Sequence, residues 1–133
     1  MSSSEVDAVV QASFAVLDTL TRSAAEHDLS LTQLRLLGIL RDRTPTMAAI
    51  ADHLQLDRSS VSGLVDRAER RGYVARRASP SDARVTTVEL TEAGRELAEE
   101  LTSTIGAGVE SLLDRLEPAD RRRVVEIARS ATA

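Results

Sequence analysis

Two oppositely charged residues stand two positions apart in a turn-forming segment of the sequence. Asp82 and Arg84 follow the cluster Ser79-Pro80-Ser81, and such a cluster marks a turn. The Asp carboxylate can form a local salt bridge that stiffens the turn and directs the Arg outward. Because an exposed pair contributes only about 0–1 kcal/mol, its value would be geometric rather than energetic. An outward Arg can enter a narrow DNA minor groove, although a charged hairpin tip also serves simply to keep an edge strand soluble.

A second set of polar residues lies upstream, in a segment with helical periodicity. One side of this helix is an apolar stripe, and the opposite side is rich in Ser and Arg. Hydroxyls can bond base edges or phosphates, Arg can chelate guanine, and a glycine lets a helix backbone approach DNA closely. Taken alone, such a face is most often an ordinary solvated surface. The polar side carries Ser59, Gly63, Asp66 and Arg70, flanked by Ser60, Ser62 and Arg67.

A β-hairpin is predicted to carry the charged turn. Residues 85–90 alternate between two faces in a β-favouring composition and read as one arm. Residues 73–78 can supply the other arm, which places Asp82 and Arg84 near the tip of a two-stranded ribbon.

Helices are predicted on both sides of these segments. Apolar residues at three- and four-residue steps predict a long first helix over 5–26. The capping box 30-SLTQ-33 opens a second helix of about ten residues. Thr46 and Asp57 can cap a short third helix and a fourth helix. After the hairpin, Thr91 begins a second long helix, interrupted by Gly106 and Gly108 where it could bend, and Glu117-Pro118 opens the last helix.

The composition describes a single, mainly helical domain. A chain of 133 residues has room for one domain with a real core, which we expect to span 1–133. Apolar residues make up 42% and aromatic residues 2%, so the core must be aliphatic. The absence of cysteine excludes a disulfide framework, a thiolate zinc site and a thiol redox switch. With no signal sequence and no membrane-spanning apolar stretch in view, we expect a cytoplasmic protein with no membrane partner.

Positive charge is concentrated in one part of the chain. Residues 57–84 contain seven Arg and four acidic residues, a balance of +3, whereas the remainder has ten Arg and seventeen acidic residues, a balance of −7. The net charge of −4 therefore conceals a basic segment that suits a nucleic-acid partner.

The sequence offers a poor basis for catalysis or metal binding. His53 lies beside Asp52 and could act as a general base on Ser59 or Ser60. The spacing provides neither a third orienting group nor an oxyanion donor, so a histidine on a helix surface is the better account. With His27 as the only other histidine, a zinc site is also poorly supported. We expect no enzyme activity, no cofactor and no metal.

The predicted elements have the order of a winged helix-turn-helix. They are a short helix, a tight turn, a second helix with a polar outer face, and a β-ribbon. The segment 57-DRSSVSGLVDRAERRGYVARRASPSDARVTTVELTEAG-94 resembles the MarR family of bacterial transcription regulators. It carries the family's recognition-helix pattern, the Gly-Tyr-Val exit, and the wing signature Asp-x-Arg followed by five residues and Leu-Thr. The resemblance runs from about residue 30 to 101 and, with the flanking helices, covers nearly the whole chain.

The resemblance implies a mainly α fold with a small β-hairpin. A winged helix-turn-helix would occupy about 30–91, and dimerisation helices would occupy 5–27 and 92–131. The resemblance also implies a homodimer that binds palindromic double-stranded DNA, usually as a repressor, and leaves open release by a small-molecule effector. The family's DNA contacts carry over to Arg58, Ser59, Ser60, Ser62 and Arg67 on the recognition helix and to Asp82 and Arg84 on the wing, and the polar helix face adds Arg70.

The sequence departs from the family pattern at a few places. Ala83 stands where many members have Arg, which weakens the wing, and Ala68 replaces a commoner Leu. The absence of cysteine rules out the thiol-based peroxide-sensing branch, and the aromatics Phe14 and Tyr73 offer little support for a phenolic effector. The alternative hypothesis is a winged helix that has lost DNA binding and serves as a protein-interaction module. Retention of Arg84 and of the Ser/Arg face argues against it.

Overall fold

The computed structural model describes residues 2–132 as six helices and one two-stranded antiparallel hairpin. Met1 and Ala133, the ends of the predicted 1–133 domain, lie outside the described residues. The order and type of the elements match the sequence-based prediction, so the mainly α fold with a small hairpin is confirmed. In chain order the elements are α1 (Ser3–Ala25), α2 (Leu31–Leu40), α3 (Met47–Leu54), α4 (Arg58–Arg70), β1 (Val74–Ala78), β2 (Thr86–Leu90), α5 (Glu92–Leu113) and α6 (Pro118–Thr132).

Side-chain caps start the inner helices at the predicted residues. Ser30 Oγ accepts a hydrogen bond from the Gln33 N–H at 3.1 Å, and Gln33 Oε1 accepts one from the Ser30 N–H at 3.0 Å, which completes the capping box. The side chains of Thr46, Asp57 and Thr91 each accept from a backbone N–H three residues further on. Each cap satisfies a donor that the first helical turn leaves without a partner.

The first helix begins earlier than its apolar pattern indicates. The prediction was 5–26, and the observed helix runs over Ser3–Ala25. Ser2 and Glu5 form a capping box like that of α2, with the Ser2 side chain accepting from the Glu5 N–H and the Glu5 side chain accepting from the Ser2 N–H. These two polar residues extend the helix beyond its first apolar position.

The aliphatic core lies where the three short helices meet the hairpin and the first half of α5. Its side chains come from α2, α3, α4 and β2, with Leu97 and Leu101 closing it from α5. Burying one Leu, Ile or Val side chain contributes about 1.5–3 kcal/mol, so this cluster fixes how α4 sits in the fold. The largest fully buried side chains are Leu36, Ile50, Leu64, Val61, Val65 and Val88.

The hairpin pairs in the register that places the charged turn at its tip. Val74 lies opposite Leu90, and Ala78 lies opposite Thr86. The segment before α3 also pairs with β2, because the Val88 N–H donates to the Pro45 carbonyl at 2.9 Å. A proline lacks an N–H but keeps its carbonyl, so it can serve the edge of a hairpin as an acceptor.

The two long helices pack against each other and extend beyond the core. Helix α5 is continuous through Gly106 and Gly108. A Cβ added to Gly108 would overlap the Thr19 methyl group, so this glycine allows α1 to approach α5 closely. Helix α6 has no buried residue within 118–132. Over residues 2–132, none of the helices combines the length and apolar character required to cross a bilayer.

Candidate nucleic-acid interface

The N-terminus of α4 is fixed by the carboxylate of Asp57. Asp57 Oδ1 accepts from the Ser60 N–H and from the Ser59 hydroxyl, both at 2.7 Å. The pKa of Asp57 lies below its ordinary value of 3.8. The largest cause is the hydrogen bond from the Ser60 backbone N–H, followed by the hydrogen bonds from the Ser59 and Ser60 hydroxyls. The first turn of α4 is therefore capped by a charged group, and Ser59 is oriented by its own cap residue.

The outer face of α4 is polar and open to solvent. Its predicted site residues Arg58, Ser59, Ser60, Arg67 and Arg70 are all exposed. An exposed hydroxyl can donate or accept, and an exposed Arg presents a fork of donors, so this face can bond both phosphates and base edges.

Arg67 lies across the helix surface at Gly63. A Cβ added to Gly63 would stand 3.2 Å from Arg67 Nη1. The sequence suggested that this glycine lets DNA approach the helix backbone, whereas in the structure the Arg67 side chain covers it. Arg67 also lines a polar cleft of about 340 Å³ whose walls include Ser59 and Ser60 of α4 and Ser30 and Thr32 from the start of α2.

Two acidic residues of α4 form salt bridges with the hairpin. Arg76 of β1 binds Asp66 Oδ1 through Nη2 at 2.7 Å and Glu69 Oε1 through Nη1 at 2.8 Å. The helical wheel assigned Asp66 to the outer face; its side chain is 49% exposed there, and its salt bridge with Arg76 is a contact that the wheel did not indicate. Ser62 lies on the same side, since its carbonyl accepts from Arg76 Nη2 at 3.5 Å, and its side chain is half-buried.

Arg76 therefore holds the wing to the recognition helix, a role that the sequence did not reveal. Burial lowers the pKa of Arg76, but the hydrogen bonds and negative charges of Asp66 and Glu69 outweigh burial and raise it above its ordinary value. The single positive charge of Arg76 also offsets part of the negative charge of the two carboxylates, which would otherwise repel an anionic partner more strongly. The seven- and ten-residue separations between these partners give no local sequence signal.

The salt bridge predicted at the hairpin tip is present. Arg84 Nε donates to Asp82 Oδ1 at 3.1 Å, and Nη2 donates to Oδ2 at 3.2 Å. The Arg84 N–H also donates to Asp82 Oδ1 at 3.0 Å. The side-chain and backbone bonds from Arg84 lower the pKa of Asp82. The Arg84 side chain is nonetheless 90% exposed, so the pairing orients it without burying it.

The fold brings the wing arginine beside the start of the recognition helix. Arg58 and Arg84 line one cleft of about 310 Å³, together with Thr46 and Met47 at the beginning of α3. Two guanidinium groups at one cleft create a local concentration of positive charge that suits phosphate. Arg70 stands apart from both clefts and bends back so that its Nε donates to the Asp66 carbonyl at 3.4 Å.

A separate apolar cavity of about 480 Å³ lies between α2 and the two long helices. Leu20 of α1, Leu34 of α2 and Ile105 of α5 contribute to its aliphatic walls. Arg35 and Arg41, both exposed, add positive charge to the lining. The cavity therefore combines an aliphatic interior with cationic groups.

The histidines lie outside any catalytic arrangement described in residues 2–132. His53 and Asp52 are exposed on α3, whereas the Ser59 hydroxyl donates to Asp57. His27 Nε2 stands 3.8 Å from Glu100 Oε1. Within the same residues, no three His, Asp or Glu side chains are placed to hold a metal ion.

The two short helices, the capped helix α4 and the hairpin beside it define a winged helix-turn-helix protein. Residues 27–85 match the model of the MarR family. This match confirms the resemblance to the family that the sequence pattern indicated, and it overlaps the segment that carries that pattern.

Known proteins are similar to this chain, in sequence or in structure, over most of its length. The uncharacterized HTH-type transcriptional regulator YfiV of Bacillus subtilis (strain 168) is 30% identical over 100 residues, which are 74% of this chain and 62% of that protein. The chain thus spans less than two thirds of this relative. The structure of RV1404 from Mycobacterium tuberculosis superposes with a TM-score of 0.83 at 24% identity, over 99% of this chain and 93% of that one. The complex of S. aureus MepR with DNA gives a TM-score of 0.75 at 21% identity, over 99% and 97%.

Proposed function

We propose that the chain is a homodimeric repressor that binds an inverted-repeat operator in double-stranded DNA. The observation that carries this proposal is the placement of Arg84 beside Arg58, at the start of an exposed helix face rich in Ser and Arg. The similarity to the MepR–DNA complex supports it at the level of fold. Such a regulator acts on the chromosome, so we place it in the cytoplasm.

In this proposal α4 enters the major groove and the wing lies along the adjacent backbone. Ser59, Ser60 and Arg67 face base edges from the outer side of α4, with Ser62 and Arg70 at its margins. Arg84, oriented by Asp82, reaches phosphate or the minor groove. The two clefts beside α4 give the phosphate backbone places to approach Arg58 and Arg84.

The proposed dimer follows from the apolar surface of the long helices. Val9 is 67% exposed and Phe14 is 52% exposed on α1, and Ile127 is 57% exposed on α6. An exposed apolar surface of this kind is a marker of an interface. A second copy of the chain supplies the same surface, so a two-fold dimer would bury both patches together.

We further propose that a small apolar acid releases the repressor from DNA. The cavity between α2 and the long helices would take its apolar part, and Arg35 or Arg41 would bind its carboxylate. A ligand there touches both the DNA-reading lobe and the helices that would form the dimer. A bound ligand would therefore favour one placement of the DNA-reading lobe relative to the dimer helices over other placements.

Selection from a random duplex pool, followed by titration, tests the proposal. Purified protein should enrich an inverted repeat and bind it far more tightly than a scrambled duplex of equal length, with affinity that falls as salt rises. The matched control is a variant with Arg58 and Arg84 both changed to Ala, which should lose enrichment. If the wild type enriches no sequence and binds both duplexes equally weakly, the protein-interaction alternative is favoured instead.

A further inference from the structure

The turn that follows the recognition helix is bound to the end of α1. It comprises Arg71, Gly72 and Tyr73, between α4 and β1. Arg71 Nη1 donates to the Asp28 carbonyl and Nη2 donates to the His27 carbonyl, both at 2.7 Å. These carbonyls lie just beyond α1, where a helix end leaves acceptors without intrahelical donors. The guanidinium also lies over the Tyr73 ring, 5.2 Å from its centroid.

The same turn is bound from its other side to the start of α5. Thr91 Oγ1 donates to the Gly72 carbonyl at 2.6 Å, and the Thr91 N–H donates to the Tyr73 carbonyl at 3.0 Å. Gly94, in the first turn of α5, lies against this segment so closely that a Cβ there would overlap the Tyr73 carbonyl oxygen. The turn is thus held between the two long helices.

The end of α1 is itself a defined structure and not a loose connection. Asp28 adopts a left-handed conformation with φ 54°, and the N–H of buried Leu29 donates to the Ala24 carbonyl at 2.9 Å. This is a helix C-cap in which a left-handed residue reverses the chain. His27 adds a contact with Glu100 of α5 at 3.8 Å. The two carbonyls that Arg71 binds therefore belong to a hydrogen-bonded helix cap.

We propose that residues 71–73 form the joint that sets the placement of the recognition helix relative to the long helices, and that Arg71 is its positioning residue. The inference rests on the proposed dimeric DNA-binding function. Through this joint, each recognition helix of the dimer is tied to the helices that form the interface. The joint therefore fixes the distance between the two recognition helices, and with it the half-site spacing that the dimer reads.

Arginine is suited to this role because its planar fork binds two carbonyls at once. A lysine has the same charge but presents a single flexible ammonium group. Arg71→Lys should therefore loosen the joint although the charge is unchanged. A methionine at the same position keeps a long apolar stem and removes both hydrogen bonds.

Distances between spin labels in the dimer test the joint without DNA. The chain has no cysteine, so a single Asp52→Cys change on exposed helix α3 labels each protomer once. The distance distribution between the two labels should broaden when Arg71→Met or Arg71→Lys is added. Arg95→Met, which removes the same charge from an exposed position on α5, should leave it unchanged. An unchanged width in both Arg71 variants overturns the proposal.

Operator spacing provides the matching test on DNA. The ratio of affinities for the selected operator and for one with a single base pair inserted at its centre should fall by at least roughly tenfold in Arg71→Met, because each of the two charge-assisted hydrogen bonds that the change removes is worth a factor of that order. The salt dependence should not change, because Arg71 does not touch phosphate in this proposal. A retained ratio, or full rescue by Arg71→Lys together with a shallower salt dependence in Arg71→Met, overturns it.

The experiments distinguish a failure of the joint proposal from a failure of the DNA-binding proposal. If the wild-type dimer binds no DNA, the DNA-binding proposal fails, and the spin-label widths still decide whether the joint holds the recognition helices. A monomeric wild type overturns both. If Arg71→Met does not fold, Arg71→Lys gives the decisive width and ratio, since it retains the charge and the aliphatic stem.

Discussion

Arg84 and Arg67 are both exposed arginines of the candidate interface, but their surroundings differ. Arg84 is held by both carboxylate oxygens of Asp82 and projects from a hairpin tip. Arg67 lies over Gly63 in a cleft lined by hydroxyls. A projecting, oriented cation suits the uniform charge of the DNA backbone, whereas a side chain on the helix face reads the bases in front of it.

Arg84→Ala should therefore weaken binding to many DNA sequences alike. The slope of log affinity against log salt should become shallower by roughly 0.9 for each phosphate that the variant no longer neutralises. Titrating operator and scrambled duplex at several salt concentrations measures both effects. Arg95→Ala serves as the control for loss of one positive charge. If Arg84→Ala changed neither affinity nor slope, the hairpin would not act as a DNA-contacting wing.

Arg67→Ala should act on specificity. If its guanidinium contacts a base edge, the change costs about 1–3 kcal/mol on the preferred site and much less on scrambled DNA. The ratio of the two affinities is the quantity to measure, and Arg84→Ala is the natural comparison because its ratio should stay near that of the wild type. An equal loss on both duplexes would place Arg67 on the phosphate backbone.

At the scale of elements, two glycines show where helices must pack closely and where they need not. Gly94 lies against the Tyr73 backbone at the start of α5, and Gly38 lies in α2 with open space where a Cβ would stand. Both are in helices, so they share the same intrinsic preference for alanine. Their different surroundings predict effects of opposite sign.

Gly94→Ala should destabilise the protein by about 1–3 kcal/mol or more, because neither the new methyl group nor the Tyr73 carbonyl can move without displacing an element. Gly38→Ala should stabilise it by about 0.5–1 kcal/mol through the restricted unfolded chain. Urea unfolding at one fixed protomer concentration measures both free energies of unfolding. Equal effects of the two changes would contradict the packing seen at Gly94.

At the scale of the whole molecule, charge and apolar surface are divided between two regions. The basic segment, residues 57–84, contains α4 and most of the wing, while the exposed large apolar side chains lie mainly on α1 and α6. One region therefore suits an anionic partner, and the other suits a second copy of the chain. Charged substitutions in the apolar surface should weaken DNA binding by separating the two protomers. A changed distance between the DNA half-sites should weaken it without affecting the dimer.

Val9→Glu combined with Leu112→Glu should give monomers or insoluble protein, because the changes place charges in the proposed apolar interface. Ala93→Glu adds a charge at an exposed position in the first turn of α5 and should leave the dimer intact. Light scattering at micromolar concentration gives the mass of each variant. A soluble monomeric wild type would contradict the dimer, and DNA affinity should fall together with dimerisation.

The two-fold dimer also predicts how DNA geometry controls binding. Half-sites should be centred about 10–11 base pairs apart, one turn of the double helix. Inserting about five base pairs at the centre turns one half-site to the opposite side of the duplex, so affinity should drop toward that for a single half-site. Unchanged affinity for this probe would refute the model of two linked recognition helices.

Much of this molecule could be predicted from short-range patterns in the sequence. The Ser30 capping box, the apolar stripe of α4 and the Asp82–Arg84 pair each depend on residues no more than a few positions apart. Caps, helical faces and tight turns are local structures, so residue type and spacing determine them almost alone. The roles of the predicted site residues in binding DNA stay predictions.

Other features were decided only by the tertiary structure. The helical wheel placed Asp66 on the outer face, and only the structure shows that Arg76 of β1, ten residues later, binds it. Arg71 and Asp28 are separated by 43 positions, and the chain between them shows no pattern that joins them. The folded core brings such residues together, because the burial of aliphatic side chains from α2, α3, α4 and the hairpin fixes where each element lies. The spacing of neighbouring residues in the sequence does not determine which distant residues come into contact. For that reason, only the structure shows the joint between the recognition helix and the long helices.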